Sequence, residues 1–186
     1  PWTIIHAFEP VPQAFETLRK RFQDYEGIYC RNMALGSRLE QKQINVSRFV
    51  EASSFLPNGR LLNNRVYGID FTIEELVPVA VETVASYCSE HSVSCIKLLK
   101  LDVQGYELEV LKGAVPVLDI IQFIYAEAQF QELYQNGPLF QDLFTFLHLH
   151  QFELVRMASF RADDDGQLME CDMIFRNRKV SPLSDR

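Results

Sequence analysis

No glycine precedes Gly27 in this sequence, so the N-terminal part carries no glycine-rich turn of the kind that cradles phosphates or nucleotides. The dinucleotide fingerprint G-x-G-x-x-G is absent, and so is the G-x-S-x-G of serine hydrolases. No apolar run approaches the roughly 18 residues of a membrane helix, and no signal peptide is recognisable. These absences predict a cytoplasmic protein without a membrane span.

Metal-binding spacing is also missing. The four cysteines are Cys30, Cys88, Cys95 and Cys171, and they form no C-x-x-C pair. We interpret them as isolated thiols, because structural metal sites place their ligands closer together. His148 and His150 lie two apart on an expected helix and point to different faces.

The excess of acidic residues excludes another class of partner. The net charge is −7 and the isoelectric point is about 5.1, which argues against nucleic-acid binding, since phosphate contacts need clustered Lys and Arg. The same balance suits a cationic ligand.

What the sequence does contain is an alternation of short apolar strands and amphipathic helices. Strands are expected at 4–8, 28–35, 43–49, 66–71, 77–81, 96–101, 120–126, 152–160 and 168–176, and helices at 11–25, 83–91, after Gly105 and at 138–151. This order predicts one α/β domain over residues 1–186, a doubly wound, mostly parallel sheet with a terminal antiparallel strand.

The most informative stretch joins a buried strand to a helix. The strand at 96–101 ends on Asp102, the chain turns at Gly105, and Glu107 follows in the first helical turn. Glycine suits a turn in which backbones approach closely. Glu107 is explained equally well by helix capping and by a function.

Three expected strands end on carboxylates, namely Glu9, Asp102 and Glu127. The carboxyl ends of parallel strands share one edge of a sheet, so these side chains are expected to line one ligand cleft. Glu9 fits either the hydroxyls of a ribose or the start of a helix. Asp102 fits a ligand-orienting group, a general base or, together with Glu127, a ligand of a hard cation.

Several motifs in the same order resemble the FkbM family of S-adenosylmethionine-dependent methyltransferases. They are His6-Ala-Phe-Glu-Pro10, Asn32-Met-Ala-Leu-Gly-Ser37, Leu99-Lys-Leu-Asp-Val-Gln-Gly-Tyr-Glu107 and Leu111-Lys-Gly-Ala114, with Glu170-Cys-Asp-Met-Ile-Phe175 as the closing strand. The resemblance covers nearly the whole chain. It implies a Rossmann-like sheet of seven strands with the last one antiparallel.

The resemblance also implies a reaction and a set of site residues. A methyl group would pass from S-adenosylmethionine to a hydroxyl of a small-molecule or glycan acceptor, for example a sugar, a polyketide or a lipid-linked glycan. Glu9 would hold the cofactor ribose, and Met33 and Ala34 would line the adenine. Asp102 would face the methionine end and the acceptor, and Ser53 and Ser54 match a segment near the site.

Asp102 is the first candidate for the base that takes the hydroxyl proton, and Glu127 is the second. A Mg²⁺ ion bridging the two carboxylates is a minor alternative. Tyr106 is expected either to pack in the core or to stack near the cationic cofactor.

One part of the family pattern is absent from this sequence. Such methyltransferases begin with a strand and a glycine-rich turn before the Ala-Phe-Glu-Pro strand, whereas here no glycine precedes Gly27. We therefore expect an N-terminally truncated domain without its first central strand. The strand at 4–8 would then either pair directly with the strand at 96–101 or face it across an unfilled slot.

Two alternatives to an active methyltransferase remain at this point. The chain could keep the fold as a non-catalytic fragment or remnant without a working cofactor site. It could also be a nucleotide-binding domain of another class, which Glu9 alone supports and the missing G-x-G-x-x-G disfavours.

Overall fold

The computed structural model describes residues 3–64 and 66–180, which form an α/β fold. The strands are β1 (Ile5–Phe8), β2 (Ile28–Arg31), β3 (Ala34–Leu35), β4 (Glu40–Ser47), β5 (Ile73–Glu82), β6 (Ile96–Leu101), β7 (Ile121–Gln129), β8 (Phe152–Ala162) and β9 (Leu168–Asn177). The helices are α1 (Pro12–Phe22), α2 (Arg60–Asn63), α3 (Val84–Glu90), α4 (Glu107–Ala114) and α5 (Phe140–Leu149), with short 3-10 turns at Val50–Ala52, Val66–Gly68 and Val115–Ile120.

The first unit is a parallel pair of strands joined by α1. β1 pairs with β2 in the register Ile5 to Ile28 and Phe8 to Arg31. Pro12 opens α1, where its missing N–H costs no helical hydrogen bond. This connection leaves Glu9 at the carboxyl end of β1.

The second sheet has the order β3–β5–β4. β3 runs parallel to β5, while β4 runs antiparallel to β5. After β5, Thr83 caps α3 by accepting a hydrogen bond from the Ser86 N–H at 3.0 Å, as its position in the sequence predicts.

The third sheet has the order β6–β7–β9–β8 and carries the main core. β6 and β7 are parallel, and β9 runs antiparallel between β7 and β8. The helices α4 and α5 pack on it around fully buried side chains, which include Val110, Leu111, Ile124, Leu147 and Phe175. Burial of each such side chain contributes about 1.5–3 kcal/mol.

Glycine permits one close contact between this sheet layer and the second sheet. A Cβ atom at Gly113 would lie 2.0 Å from the carbonyl oxygen of Gly36, so α4 can approach the turn after β3 only because position 113 lacks a side chain.

Four sequence expectations need correction. The nine strands of the described residues form three hydrogen-bonded sheets rather than one continuous sheet. The strand expected at 28–35 is split between β2 and β3, which belong to different sheets. The extended stretch expected at 66–71 begins as a 3-10 turn instead. β7 continues to Gln129, so Glu127 lies inside the strand rather than after it.

The relation of β1 to β6 decides between the two packing expectations. Within the described residues β1 pairs with β2, not with β6, so the expected direct pairing is wrong. A cavity of about 1320 Å³ is lined by residues of both strands, among them Ile5, Phe8, Ile96 and Leu99. That this cavity is the slot of a first central strand stays a prediction.

Candidate functional site

Asp102 lies directly after β6, at the carboxyl end of the strand. Its side chain is half exposed, and both carboxylate oxygens accept a hydrogen bond. The Lys100 ammonium donates to Oδ2 at 2.9 Å, and the Gln104 amide donates to Oδ1 at 2.9 Å. These two partners fix the carboxylate at the edge of the sheet.

The turn after Asp102 is held from two sides. Gln104 and Gly105 both have positive φ angles, of 53° and 85°. The Ser54 hydroxyl donates to the Gln104 carbonyl oxygen at 2.6 Å, and the Tyr134 hydroxyl donates to Gln104 Oε1 at 2.8 Å. A left-handed non-glycine residue costs about 1–3 kcal/mol, so these contacts keep a strained turn in place.

Glu107 acts on the backbone of this turn. It is buried, and Oε1 accepts the Val103 N–H at 3.1 Å. Burial raises the pKa of Glu107 to about 7, although hydrogen bonds from the backbone oppose the rise. The contacts therefore account for Glu107 as a cap on the turn.

Tyr106 belongs to the packing beside the turn. It is buried, and its hydroxyl accepts a hydrogen bond from the Lys42 ammonium at 2.7 Å. The same ammonium lies 4.5 Å from the ring centroid, so the cation against this ring is Lys42. The sequence predicts that Tyr106 either packs in the core or stacks near a cationic cofactor, and the contacts found here are those of core packing.

Glu127 lies close enough to Asp102 for the charge of Asp102 to affect its pKa. It is buried near the end of β7, and its pKa is well above the usual range. Burial is the largest cause, followed by the negative charges of Glu170, Glu107 and Asp102. The fold thus brings the two predicted base candidates into one acidic cluster.

Glu9 lies at the end of β1 and in a different environment. Its Oε1 accepts the Val11 N–H at 2.9 Å. Its pKa is raised mainly by burial and further by the charge of Glu51, which is not a predicted site residue. Glu9 enters no ion pair within the described ranges 3–64 and 66–180, and no contact there joins it to Asp102.

The segment with Met33 and Ala34 is tied to the end of β1. The Asn32 amide donates to the carbonyl oxygens of Glu9 at 2.9 Å and Pro10 at 3.1 Å. Met33 is half-buried and Ala34 is buried at the start of β3. The fold therefore groups Glu9, Met33 and Ala34, as it groups Asp102 with Glu127.

Ser54 links the region of Glu51 to the Asp102 turn. Its hydroxyl donates to Gln104 as described above and also accepts the Leu56 N–H at 3.0 Å. Ser53 has a local contact instead, since its hydroxyl oxygen accepts the Ser47 N–H at 3.2 Å.

Loss of the Ser54 hydroxyl should loosen the turn. We expect Ser54→Ala to lower the free energy of unfolding by about 1–2 kcal/mol, because the contact it removes is partly buried and holds a positive-φ residue. Chemical denaturation measures the change. Ser94→Ala, at an exposed serine, is the control and should stay within about 0.5 kcal/mol of the parent. Equal stabilities of the two variants would contradict this role of Ser54.

Four polar residues around Asp102 and Glu127 are not among the sequence-predicted site residues: Gln104, Gln129, Arg161 and Glu170. Glu170 and Arg161 form an ion pair at 2.8 Å, and Glu170 is buried. Both amide atoms of Gln129 are buried, and neither has a hydrogen-bond partner in the described part of the chain. The alternation of polar and apolar residues in β9 predicts a polar face on that strand, but no sequence pattern predicts that Glu170 lies near Glu127.

The cavity between β1 and β6 has a different chemistry. His6 Nδ1 and the Tyr87 hydroxyl are hydrogen-bonded at 2.8 Å, and the Tyr87 ring stacks on His91 with centroids 4.0 Å apart. Burial lowers the pKa of His6, and the charges of His91 and Arg31 lower it further. These histidines serve an aromatic cluster in the cavity wall.

Within the described residues, no group of three or more His, Cys, Asp or Glu side chains is arranged to hold a metal ion. In the same part of the chain, no helix is both long and apolar enough to cross a membrane.

In open α/β sheets, ligands bind beyond the carboxyl ends of the strands, and this fold holds Asp102 and its strained turn at such a position. A family model of the methyltransferase FkbM domain matches residues 2–154. The chain therefore belongs to the FkbM methyltransferase family, as the sequence motifs indicate.

Two known proteins are similar to this chain. The 2-O-methyltransferase NoeI of Sinorhizobium fredii (strain NBRC 101917 / NGR234) is 35% identical over 105 residues, which are 55% of this chain and 40% of NoeI. A crystal structure of methyltransferase FkbM from Methylobacillus flagellatus KT is 14% identical, with a TM-score of 0.49 over 91% of this chain and 36% of that one. The chain thus spans less than half the length of either protein.

Proposed function

We propose that this chain is an S-adenosylmethionine-dependent methyltransferase that methylates a hydroxyl oxygen of a small-molecule or glycan acceptor. Membership of the FkbM family carries the proposal, and the name of the relative NoeI, a 2-O-methyltransferase, supports the choice of oxygen. The fixed Asp102 carboxylate at the end of β6 is the structural feature that suits this chemistry. In this proposal residues 1–186 belong to one methyltransferase domain.

The residues at the two strand ends fit such a cofactor. Glu9 has no cationic partner within the described residues, so its carboxylate is free to accept hydrogen bonds from ribose hydroxyls. Met33, which is half-buried, offers apolar surface for an adenine ring, and the buried Ala34 follows it at the start of β3. When bound, S-adenosylmethionine supplies an already activated methyl group.

The protein then has two tasks. It must hold the acceptor oxygen in line with the methyl group, and orientation of this kind supplies about 7–11 kcal/mol of a barrier. It must also accept the hydroxyl proton, for which Asp102 is our first candidate. Lys100 and Gln104 hold its carboxylate without blocking it, since its side chain remains half exposed.

The cavity between β1 and β6 motivates the second part of the proposal. Both strands line it, and among the described residues each lies at the edge of its own sheet; unpaired backbone groups are costly when buried. We propose that a further β-strand fills this cavity in the cofactor-binding form, and that the glycine-rich turn of the family accompanies that strand. In the non-catalytic alternative, residues 1–186 without that strand and turn do not hold the cofactor.

A cofactor titration distinguishes the active enzyme from the remnant. We expect S-adenosylmethionine to bind the purified chain, and Glu9→Ala to weaken binding roughly tenfold to a hundredfold, because a charge-assisted hydrogen bond contributes about 1.5–3 kcal/mol. Isothermal titration calorimetry measures both affinities. Glu16→Ala on the exposed face of α1 is the control and should bind like the parent chain. Absence of heat with the parent chain would favour the remnant.

We also propose a cytoplasmic location. All four cysteines are free thiols, which suits a reducing compartment.

A further inference from the structure

Three polar side chains share one face of the third sheet. In the register of β7 and β9, Glu127 lies opposite Asp172 and Gln129 lies opposite Glu170. Alternate residues of a strand point to the same face, so Glu127, Gln129 and Glu170 lie together, with Glu127 diagonal to Glu170. All three are at least nine-tenths buried, with exposed fractions of 8%, 3% and 5%.

The two carboxyl groups differ in their charge partners. Glu170 Oε1 is paired with the Arg161 guanidinium at 2.8 Å. A guanidinium remains charged at any ordinary pH, so it favours the ionised form of Glu170. Glu127 has no ion pair in the stretches 3–64 and 66–180, and its neighbours on β6 and α4 are the acids Asp102 and Glu107.

Carboxylates accept hydrogen bonds and cannot donate them. Two carboxyl groups can therefore be hydrogen-bonded to each other only when one of them holds a proton. A side-chain hydrogen bond with Glu170 is among the causes that raise the pKa of Glu127, after burial and the charge of Glu170. The charges place the proton on Glu127.

We propose that Glu170 is a positioning residue that keeps a proton on Glu127, so that the end of β7 presents a neutral carboxyl group rather than a base. Arg161 secures this arrangement by holding Glu170 ionised. Both Arg161 and Glu170 lie beyond residues 2–154, which the family model matches. The C-terminal hairpin of this chain therefore supplies the residues that keep Glu127 protonated.

Other titratable groups face this pair from every element around it. They are Asp102 after β6, Glu107 on α4, Tyr125 on β7, Arg161 on β8, Asp172 on β9 directly opposite Glu127, Tyr67 in a 3-10 turn and Tyr134 in the loop before α5. Lys100 and Arg161 are the cations near the pair. Lys100 is paired with Asp102, and Arg161, which also attracts Glu127, is paired with Glu170. The remaining groups are neutral or negative, so none of them favours ionisation of Glu127.

The proton has a consequence for binding. A neutral Glu127 and the unpartnered amide of Gln129 form a buried surface that offers hydrogen bonds without net charge. Such a surface favours an uncharged polar group, such as a hydroxyl, over a cation. Asp102 is then the residue that accepts the proton of the reaction, and this step rests on the proposed function. The presence of a proton on Glu127 does not depend on that function.

Carbon-13 NMR of protein labelled at the glutamate carboxyl carbons tests the proposal without cofactor or acceptor. At pH 8, where Glu107 is mostly ionised, we expect one protonated glutamate resonance, and Glu127→Gln should remove it. Glu170→Gln should lower the titration midpoint of Glu127 by at least one pH unit. Arg156→Gln, at an exposed arginine of the same β8 strand, should leave that midpoint unchanged.

Two outcomes would overturn the proposal. One is a parent spectrum at pH 8 in which every glutamate carboxyl is ionised. The other is an unchanged Glu127 midpoint in Glu170→Gln. Loss of cofactor binding would leave these spectra unaffected, so the proposed methyl transfer and the proton on Glu127 can fail separately.

Discussion

Replacement of Asp102 by asparagine is expected to lower the turnover of methyl transfer by roughly 10²–10⁴-fold, the usual contribution of a positioned general base. Asparagine keeps an oxygen for the Gln104 amide, so the turn stays in place. It loses the negative charge that pairs with Lys100 and that would accept the hydroxyl proton. The effect should therefore appear in kcat rather than in cofactor affinity.

Transfer of a radiolabelled methyl group from S-adenosylmethionine to a panel of free mono- and oligosaccharides measures this turnover. Asp119→Asn is the matched control, because that aspartate is exposed and pairs with Lys179 far from the sheet edge. Thermal unfolding of both variants checks that the fold is retained. Turnover of Asp102→Asn within about threefold of the parent would remove Asp102 from the base role.

Local signals in the sequence predict local structure well in this protein. Thr83 precedes an amphipathic segment and caps α3, and the acidic run ending at Gly166 makes the turn between β8 and β9. These features depend on residues within a few positions of each other. The order of strands and helices follows for the same reason.

The sequence-based predictions are wrong where the structure depends on pairing between distant segments or on a single backbone angle. The apolar stretch after position 65 begins with a 3-10 turn because Tyr67 and Gly68 adopt positive φ angles of 66° and 69°, which interrupt an extended chain. β7 runs past Glu127 because its pairing with β9 continues to Gln129. The sequence pattern of one strand does not show where its pairing with the partner strand ends.

The candidate site shows the same division. Asp102 and Glu127 follow from their places at the ends of apolar runs, but Glu170 acts through a diagonal neighbour on an antiparallel strand. A change of one residue in that register would turn Glu170 to the other face of the sheet. The sequence predicts that Glu9 and Asp102 line one cleft, but β1 and β6 belong to separate hydrogen-bonded sheets, so no strand pairing fixes the spacing between the two carboxylates.

The stability of the chain should fall as pH rises from about 4.5 into the alkaline range, because two buried acids hold protons that the unfolded chain releases. The pKa of Glu107 is raised to about 7 and that of Glu127 still further, in both cases chiefly by burial. A raised pKa means that the folded state binds the extra proton, so stability is greatest below the unfolded pKa and is lost as pH rises. Each such proton contributes a slope of about 1.4 kcal/mol per pH unit.

Urea denaturation between pH 4.5 and 9 measures this dependence, and two variants assign it. Glu107→Gln should flatten the curve between about pH 4.5 and 7, while Glu127→Gln should flatten it across that range and above pH 7 as well. Lys112→Gln, which breaks an exposed ion pair on α4, should shift the curve without changing its slope in this range. Subtraction of each variant from the parent removes the opposite contribution of His6, whose lowered pKa costs stability as pH falls. A parent curve that rises from pH 5 to 8 and keeps its slope in Glu127→Gln would mean that Glu127 is ionised in the folded protein, and Glu127 would then return as a candidate base.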